Sequence, residues 1–454
     1  MEATYWIFLP LVANVGDERG EIRPVLAENW THTDDYKTWT VKLRKDIYWH
    51  DGVQMTAHDI KFTIDLRKKV FTLDGNISCE LIDDFTFKFI TKRPISMLPT
   101  YEVYYPKHLL AELDPAEYYN WDFWTHPIGN GPYKFVRNVP KTMVEVEVNP
   151  NYFGNQPKIK KAILKFSQTP SLQELLSGNV DAITHVPRDF LFKIIGDDNF
   201  KSFHWWGSWT ESIHWNHNNP LFSEATVRKA LTMAIDRIEL SKVLNYPDNI
   251  PISDVMTTRN QRAHSDIPDP LPYDSNKAIE LLKEYGWIDT NADGVLDKNG
   301  KDFRFTLIVG QENSLMATYI QANFKLIGVA MDIETMENNI VHQRLKKRGY
   351  EALIARFPNN ENTIVHVRNY FGDSNYINFK NKNIDHLLSL IQETGSPTKI
   401  DSLYKILRPI FQSDMPLTFL FPQVQTVIVN SKVKGLENLY KVDPVWFLEF
   451  LWIE

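Results

Sequence analysis

Residues 38–62 read TWTVKLRKDIYWHDGVQMTAHDIKF, and this stretch decides the reading of the chain. Trp39, Val41 and Leu43 alternate with Thr38, Thr40, Lys42 and Arg44, the period-two pattern of a half-buried strand. His50-Asp51-Gly52 supplies a turn, because glycine takes backbone angles that other residues avoid. From Thr56 the spacing becomes helical, through Ala57, Ile60 and Ile64, with the acid Asp59 in the first turn where a helix dipole favours it. The residues alone specify a strand, a turn and a helix.

Around it lie 454 residues, too many for one ordinary core, so two or three lobes are expected. Apolar content of 43% with 24% charge describes a globular chain, and a net charge of −7 gives no reason to expect nucleic acid or an anionic membrane as partner. The unusual feature is aromatic: 13 Trp, 19 Tyr and 26 Phe, enough to fill cores and also line a large pocket. Cys79 is alone, so no intramolecular disulfide can form, and it reads as a small buried hydrophobe. No run of 18 apolar residues marks a membrane span. The start, MEATYWIFLPLVANV, has neither a basic region nor a small-residue cleavage site, so the protein is either cytosolic or lacks an upstream export segment.

Other segments repeat the alternation of strand and helix. Phe85, Phe87 and Phe89 mark a strand; Gly129-Asn130-Gly131-Pro132 is a turn into another, and Pro132 argues against a phosphate-binding helix start. Residues 159–166 read as a strand and 171–177 as a short helix. A strong helix is expected over 222–244, capped by Ser223, with Val227, Ala230, Leu231, Ala234 and Ile235 on one face. Further helices are expected over 275–285, 319–326, 384–391 and from Pro397, with a strand at 303–310 and strands from Pro416 to the end.

Several phrases together carry a family resemblance. Leu43-Arg44, Trp49, Asp51-Gly52, Ala57 and Asp59 form L-R-x-x-x-x-W-x-D-G-x-x-x-x-A-x-D; Pro24, Leu26, Ala27 and Trp30 form P-x-L-A-x-x-W. Gly129 to Tyr133, Asn149-Pro150-Asn151-Tyr152-Phe153, Gly178 to Asp181, and Val227-Arg228-x-Ala230-Leu231 with Ala234-Ile235-Asp236-Arg237 extend the match along most of the chain. The sequence resembles the extracellular solute-binding proteins of family 5, the peptide, nickel and oligosaccharide receptors that feed ABC importers.

That resemblance implies an α/β fold of the two-lobed periplasmic-binding-protein type (class II) with an extra inserted subdomain. The expected parts are a discontinuous lobe I (1–24, 148–216 and 425–454), an inserted subdomain (25–147) and lobe II (217–424). Relatives carry a strand and a leader before residue 4, so this chain is expected to be N-terminally incomplete. The implied function is capture of a solute, an oligopeptide first, by hinge closure, and its delivery to an ABC permease. An oligosaccharide is the runner-up, because indole faces stack on sugar rings, and a nickel chelate comes third. A periplasmic or cell-surface location, a lipid anchor and a monomer are further expectations.

The ligand question turns on two regions: Trp206, Trp209, Glu211 and Ser212 in the first, and Arg356, Asn359 and Asn360 in the second. Peptide-binding relatives place an Asp in the second region to pair with the peptide's α-ammonium group. The best counterpart here, Asn360, is neutral, with Glu361 beside it, which forfeits that ion pair.

A hydrolase would need a nucleophile or metal constellation. No Gly-x-Ser-x-Gly, Walker or His-Glu-x-x-His motif occurs, so no enzyme is expected. His50-Asp51 and His58-Asp59 fall at a structural turn and a helix start; His214 and His217, three apart, cannot share one face of a strand. Residues 289–297, DTNADGVLD, copy the first nine positions of a calcium loop, with Asp289, Asn291, Asp293 and Asp297 as oxygen donors, but Gly300 stands where the bidentate Glu belongs. A turn that needs no ion is the plainer reading, and a structural calcium the alternative. No other cofactor is expected.

Overall fold

The computed structural model describes residues 4–14, 22–71, 77–96, 98, 103–166, 172–184, 186, 194, 196–248, 250–255, 269–358, 370–371, 375–435 and 451–453. The chain divides into two compact units: residues 1–203, 392–400 and 427–454 make the first, and 204–391 with 401–426 the second. The first division falls at 203/204 rather than at the expected 216/217, inside the continuous strand Phe200–Trp215. Residues 392–400, expected in lobe II, belong to the first unit.

In the first unit the opening stretch folds as its periodicity requires. Thr38–Leu43 and Thr86–Thr91 are the central strands of a four-stranded antiparallel sheet flanked by Ala27–His32 and Ile77–Asp83. Trp39, Val41, Phe87 and Phe89 point into one core, and the helix Ala57–Val70 packs Ala57, Ile60 and Ile64 against it. Thr56 caps that helix and Asp59 completes the capping box, its Oδ2 accepting from the Thr56 N–H at 2.8 Å. The second Asp59 oxygen accepts from the Lys107 N–H at 2.9 Å, so this acid of the signature fixes two chain segments. Burial is the main influence on its carboxyl and raises its pKa.

The Gly-Asn-Gly turn has a packing cause. A Cβ on Gly129 would stand 2.0 Å from the Ile7 carbonyl oxygen, and one on Gly131 2.5 Å from that of Trp6. Asn130 and Gly131 both donate their N–H to Ile7, and Asn130 Oδ1 accepts from the Leu9 N–H at 2.9 Å. His50 joins this clamp, its Nε2 lying 3.1 Å from the Gly131 oxygen and its Nδ1 3.2 Å from the Gly129 N–H. The loop is thus filled by its own chain.

Cys79 sits in the same core, and burial pushes its thiol up to about 12. Native protein should therefore resist a disulfide-exchange reagent such as DTNB at pH 8 and react once unfolded in urea. Rapid native release of chromophore would contradict this packing.

The second unit is built on one sheet, in the order Leu417–Asn430, Phe200–Trp215, Ala352–Pro358, Arg304–Gly310, Ala330–Met336. The last three run parallel; Ala352–Pro358 is antiparallel to Phe200–Trp215. Phe305, Leu307, Val309, Ala352, Ile354, Ile213 and Trp215 face one core with the helices Ala225–Met233, Ser275–Glu284 and Ser314–Leu326. Leu353 and Phe357 are buried on the other face, which explains the nearly unbroken burial of these strands.

The helix expected over 222–244 is two, Ala225–Met233 and Arg237–Val243, because Asp236 starts the second by accepting from the Glu239 N–H. Ser223 does not cap the first; its hydroxyl donates to the Pro220 carbonyl. Arg228, from the V-R-x-A-L phrase, is buried and donates to the carbonyls of Phe222, Met415 and Asp414, so a fixed cation closes the carboxyl end of the helix Pro397–Asp414. The helix expected over 319–326 begins five residues earlier, at Ser314. Trp446 lies outside the described residues, and Trp452 sits in the short strand Trp452–Ile453.

Candidate functional site

Strand order in the second unit creates a specific opening. Arg304–Gly310 leads through the helix Ser314–Leu326 to Ala330–Met336 on one side; that strand leads through the helix Asn338–Lys347 to Ala352–Pro358 on the other side. Right-handed crossovers in opposite directions put the two helices on opposite faces. Met316, Ala317, Ile320 and Phe324 accordingly join the core described above, while the buried Val341 and Leu345 do not. The connections diverge between the carboxyl ends of Arg304–Gly310 and Ala352–Pro358, where open α/β sheets place their ligands.

Arg356 stands at this point. It pairs in register with Glu211 on the neighbouring antiparallel strand, so both side chains leave the same face. Its Nε is 4.0 Å from Glu211 Oε1, and an Nη is 3.9 Å from an oxygen of Glu312, the second residue after the strand Arg304–Gly310. Glu211 is buried; Arg356 and Glu312 are partly exposed. Two carboxylates thus flank one guanidinium without closing a hydrogen bond on it. Glu312 also leans over Gly310, its Oε2 2.9 Å from where a Cβ would be, beside Asn338 Oδ1.

The other candidate residues occupy distinct positions. Trp209, paired with Pro358 at the strand end, is 39% exposed, and no other tryptophan among the described residues is exposed. Trp206 is half-buried and packs on the core. Ser212 points to the opposite face from Glu211 and is fully buried, its hydroxyl 3.0 Å from His214 Nε2 and 3.3 Å from the Ala355 oxygen. Asn359 and Asn360, with Glu361, lie outside the described residues.

The histidines are structural. His214 places Nε2 3.2 Å from the Ala355 carbonyl, and His217 3.0 Å from that of Pro416. Burial depresses both to about 3. His58 and Asp51 find separate partners, Asp84 and His108.

In the 289–297 loop the side chains serve the loop itself. Asp297 accepts from Thr290, Asp289 from the Gly294 N–H, Asn291 from the Asp293 N–H and Asp293 from the Val295 N–H. Among the described residues no three His, Cys, Asp or Glu side chains are placed to hold a metal ion.

Sequence reasoning missed Glu312. The available signal was the run GQENS at the end of a strand and start of a helix, but only the strand order gives that position meaning.

The family model for bacterial extracellular solute-binding proteins, family 5 Middle, matches residues 21–377. The chain belongs to this family. The family 5 chain is 25% identical over 468 aligned residues to the oligopeptide-binding protein AppA of Bacillus subtilis, covering 95% of this chain and 84% of the relative. Among solved structures it is similar to NikZ from Campylobacter jejuni in complex with Ni(L-His), at 24% identity and TM-score 0.77, covering 98% of this chain and 94% of that one. A putative peptide-binding AppA from Clostridium difficile superposes with TM-score 0.83 at 21% identity, covering 100% and 95%.

The α/β, two-lobed binding-protein fold expected for this family 5 protein is thereby established. Its family consists of solute-binding receptors that act outside the cytoplasm. No helix among the described residues is long and apolar enough to cross a membrane.

Proposed function

We propose that this chain is the receptor of an ABC importer, that its cargo is an oligopeptide, and that it delivers this cargo to a membrane permease as a monomer without chemical change. The observation that carries the reading is the likeness, over 95% of the chain, to a relative named as an oligopeptide-binding protein. The switch-point chemistry supports it: Arg356 and Glu312 offer both charge signs to a zwitterionic ligand, and Trp209 offers one apolar face.

An oligosaccharide is disfavoured by where the tryptophans went. Trp6, Trp39, Trp49, Trp121, Trp215 and Trp287 are core residues, so among the described residues these six offer no face to a sugar ring. A metal–amino acid chelate is the second reading, favoured by the NikZ likeness.

Native mass spectrometry of purified protein decides among them. A ladder of peptide masses supports the proposal, and a hexose series or a metal–histidine mass overturns it. Trp209→Ala should raise the Kd for a bound peptide about 10-fold, the loss of one well-placed aromatic contact. Its melting temperature should stay within a degree or two, since the Trp209 side chain is exposed. Unchanged affinity would return Trp209 to a packing role.

A further inference from the structure

A three-stranded sheet of the first unit turns one face to solvent. Its strands Tyr133–Val139, Met143–Val148 and Lys161–Lys165 pair antiparallel in that order. Side chains alternate between the two faces. Tyr133, Phe135, Val144, Val146, Ala162 and Leu164 pack into the core that also holds the signature stretch. The register then puts three cross-strand rows on the other face: Lys134–Glu147–Lys161, Arg137–Glu145–Ile163 and Val139–Met143–Lys165. A bulge between Phe135 and Arg137 keeps Arg137 in phase with this face. Ile163 is 53% exposed, and Val139 and Phe166, just past the third strand, are exposed as well.

The chemistry of this face narrows its partner. Lys134, Arg137, Lys161 and Lys165, with Lys141 exposed at the hairpin tip, outnumber Glu145 and Glu147, although the whole chain carries −7. Among the described residues Arg137 alone of these cations lies within salt-bridge distance of a carboxylate, Glu145 at 2.6 Å. A second copy meeting this face with its own would set cation against cation. Val139 and Met143 share a row with Lys165, and Ile163 shares one with the Arg137–Glu145 pair. The apolar groups are thus interleaved with charge and do not form the charge-depleted centre of a protein interface. A lipid surface needs no such centre: its phosphates attract the lysines, and single apolar side chains enter the headgroup boundary. We propose that this face docks reversibly on a bilayer of anionic phospholipid and holds the receptor at the membrane surface whatever its cargo. The proposal suits a family that acts outside the cytoplasm.

Flotation of the full chain with phosphatidylcholine vesicles, with and without about 30 mol % phosphatidylglycerol, tests this. In dilute salt the wild type should partition about 10-fold more strongly onto the anionic vesicles, and about 0.5 M NaCl should release it by screening the charges. Lys161→Gln combined with Lys165→Gln should weaken that binding about 10-fold and Ile163→Ser about 3-fold, without shifting the melting temperature. Lys346→Gln combined with Lys347→Gln removes the same charge from the exposed tail of the helix Asn338–Lys347 and should leave binding unchanged. Equal partitioning onto neutral and anionic vesicles overturns the proposal. So does an equal loss in the Lys346 and Lys347 variant, which would mean adsorption through charge anywhere on the surface. Should the Lys161 and Lys165 variant melt early, Ile163→Ser decides alone, and wild-type binding by it overturns the proposal.

Discussion

Asp254→Ala is expected to destabilise the second unit by about 3–5 kcal/mol, the range for stripping a buried ion of its partner. Asp254 is fully buried, and Arg237 Nη1 donates to it at 2.6 Å. The same guanidinium donates to the carbonyls of Phe419 and Leu271, and the Leu271 N–H donates to the other Asp254 oxygen. One ion pair thus binds the start of the helix Arg237–Val243, the strand Leu417–Asn430 and two chain segments on either side of residues 256–268. Alanine would leave the guanidinium charged, desolvated and short of an acceptor, and the Leu271 N–H unpaired. Urea melts followed by tryptophan fluorescence measure the loss. Arg237→Met combined with Asp254→Leu should recover much of it, since replacing both charges avoids an orphan. An unchanged urea midpoint in the single variant would mean that this pair does not hold the segments.

Arg237 also shows what a sequence can and cannot yield. Ala234-Ile235-Asp236-Arg237 is legible as a family phrase, and helical spacing places Ala234 and Ile235 in a core. Nothing local says that Arg237 turns inward to a carboxylate 17 residues on. The strands and helices of the opening stretch were readable because their signals are short-range: alternation, an N-cap, a Gly turn. Asp59 and Arg228 of the family phrases, and Asn130, which stands where the family phrase has Thr, proved to be structural for the same reason in reverse, each satisfying backbone groups brought close only by the fold.

The candidate site was half legible. Trp209, Glu211 and Arg356 could be nominated from two separated regions, but their juxtaposition depends on a strand register across 145 positions. Glu312 carries no periodic or motif signal; its importance comes from lying where two crossovers diverge, beside Arg356. The expected boundary at 216/217 differs from the division at 203/204 because Phe200–Trp215 runs through it without a break in composition.

Acid is expected to destabilise this protein before its carboxylates titrate, and the second unit more than the first. His214 and His217 lie in the second unit with pKa values depressed to about 3, and His50 in the first with one depressed to about 4. Burial is the largest cause in each case; for His217 the nearby Arg228 charge adds to it. Each Nε2 faces a carbonyl oxygen, which only accepts, so the neutral ring carries its proton there.

The sign follows from linkage. An unfolded histidine titrates near 6.5, so between that value and the folded pKa the unfolded chain binds protons that the native chain refuses. Stability contributed by the neutral rings is therefore complete above pH 6.5 and is lost as pH falls toward 3–4. Each ring adds a slope of about 1.4 kcal/mol per pH unit in that window. At pH 5 the second unit should have lost about 4 kcal/mol through two histidines and the first about 2 through one, against a typical total of about 5–15. Urea midpoints at pH 7.5, 6 and 5 measure the trend. His214→Phe, a ring of similar shape without a titrating group, should flatten the slope of the second unit by about half. Equal midpoints at pH 7.5 and 5 would mean that these rings open to water and take up protons without unfolding.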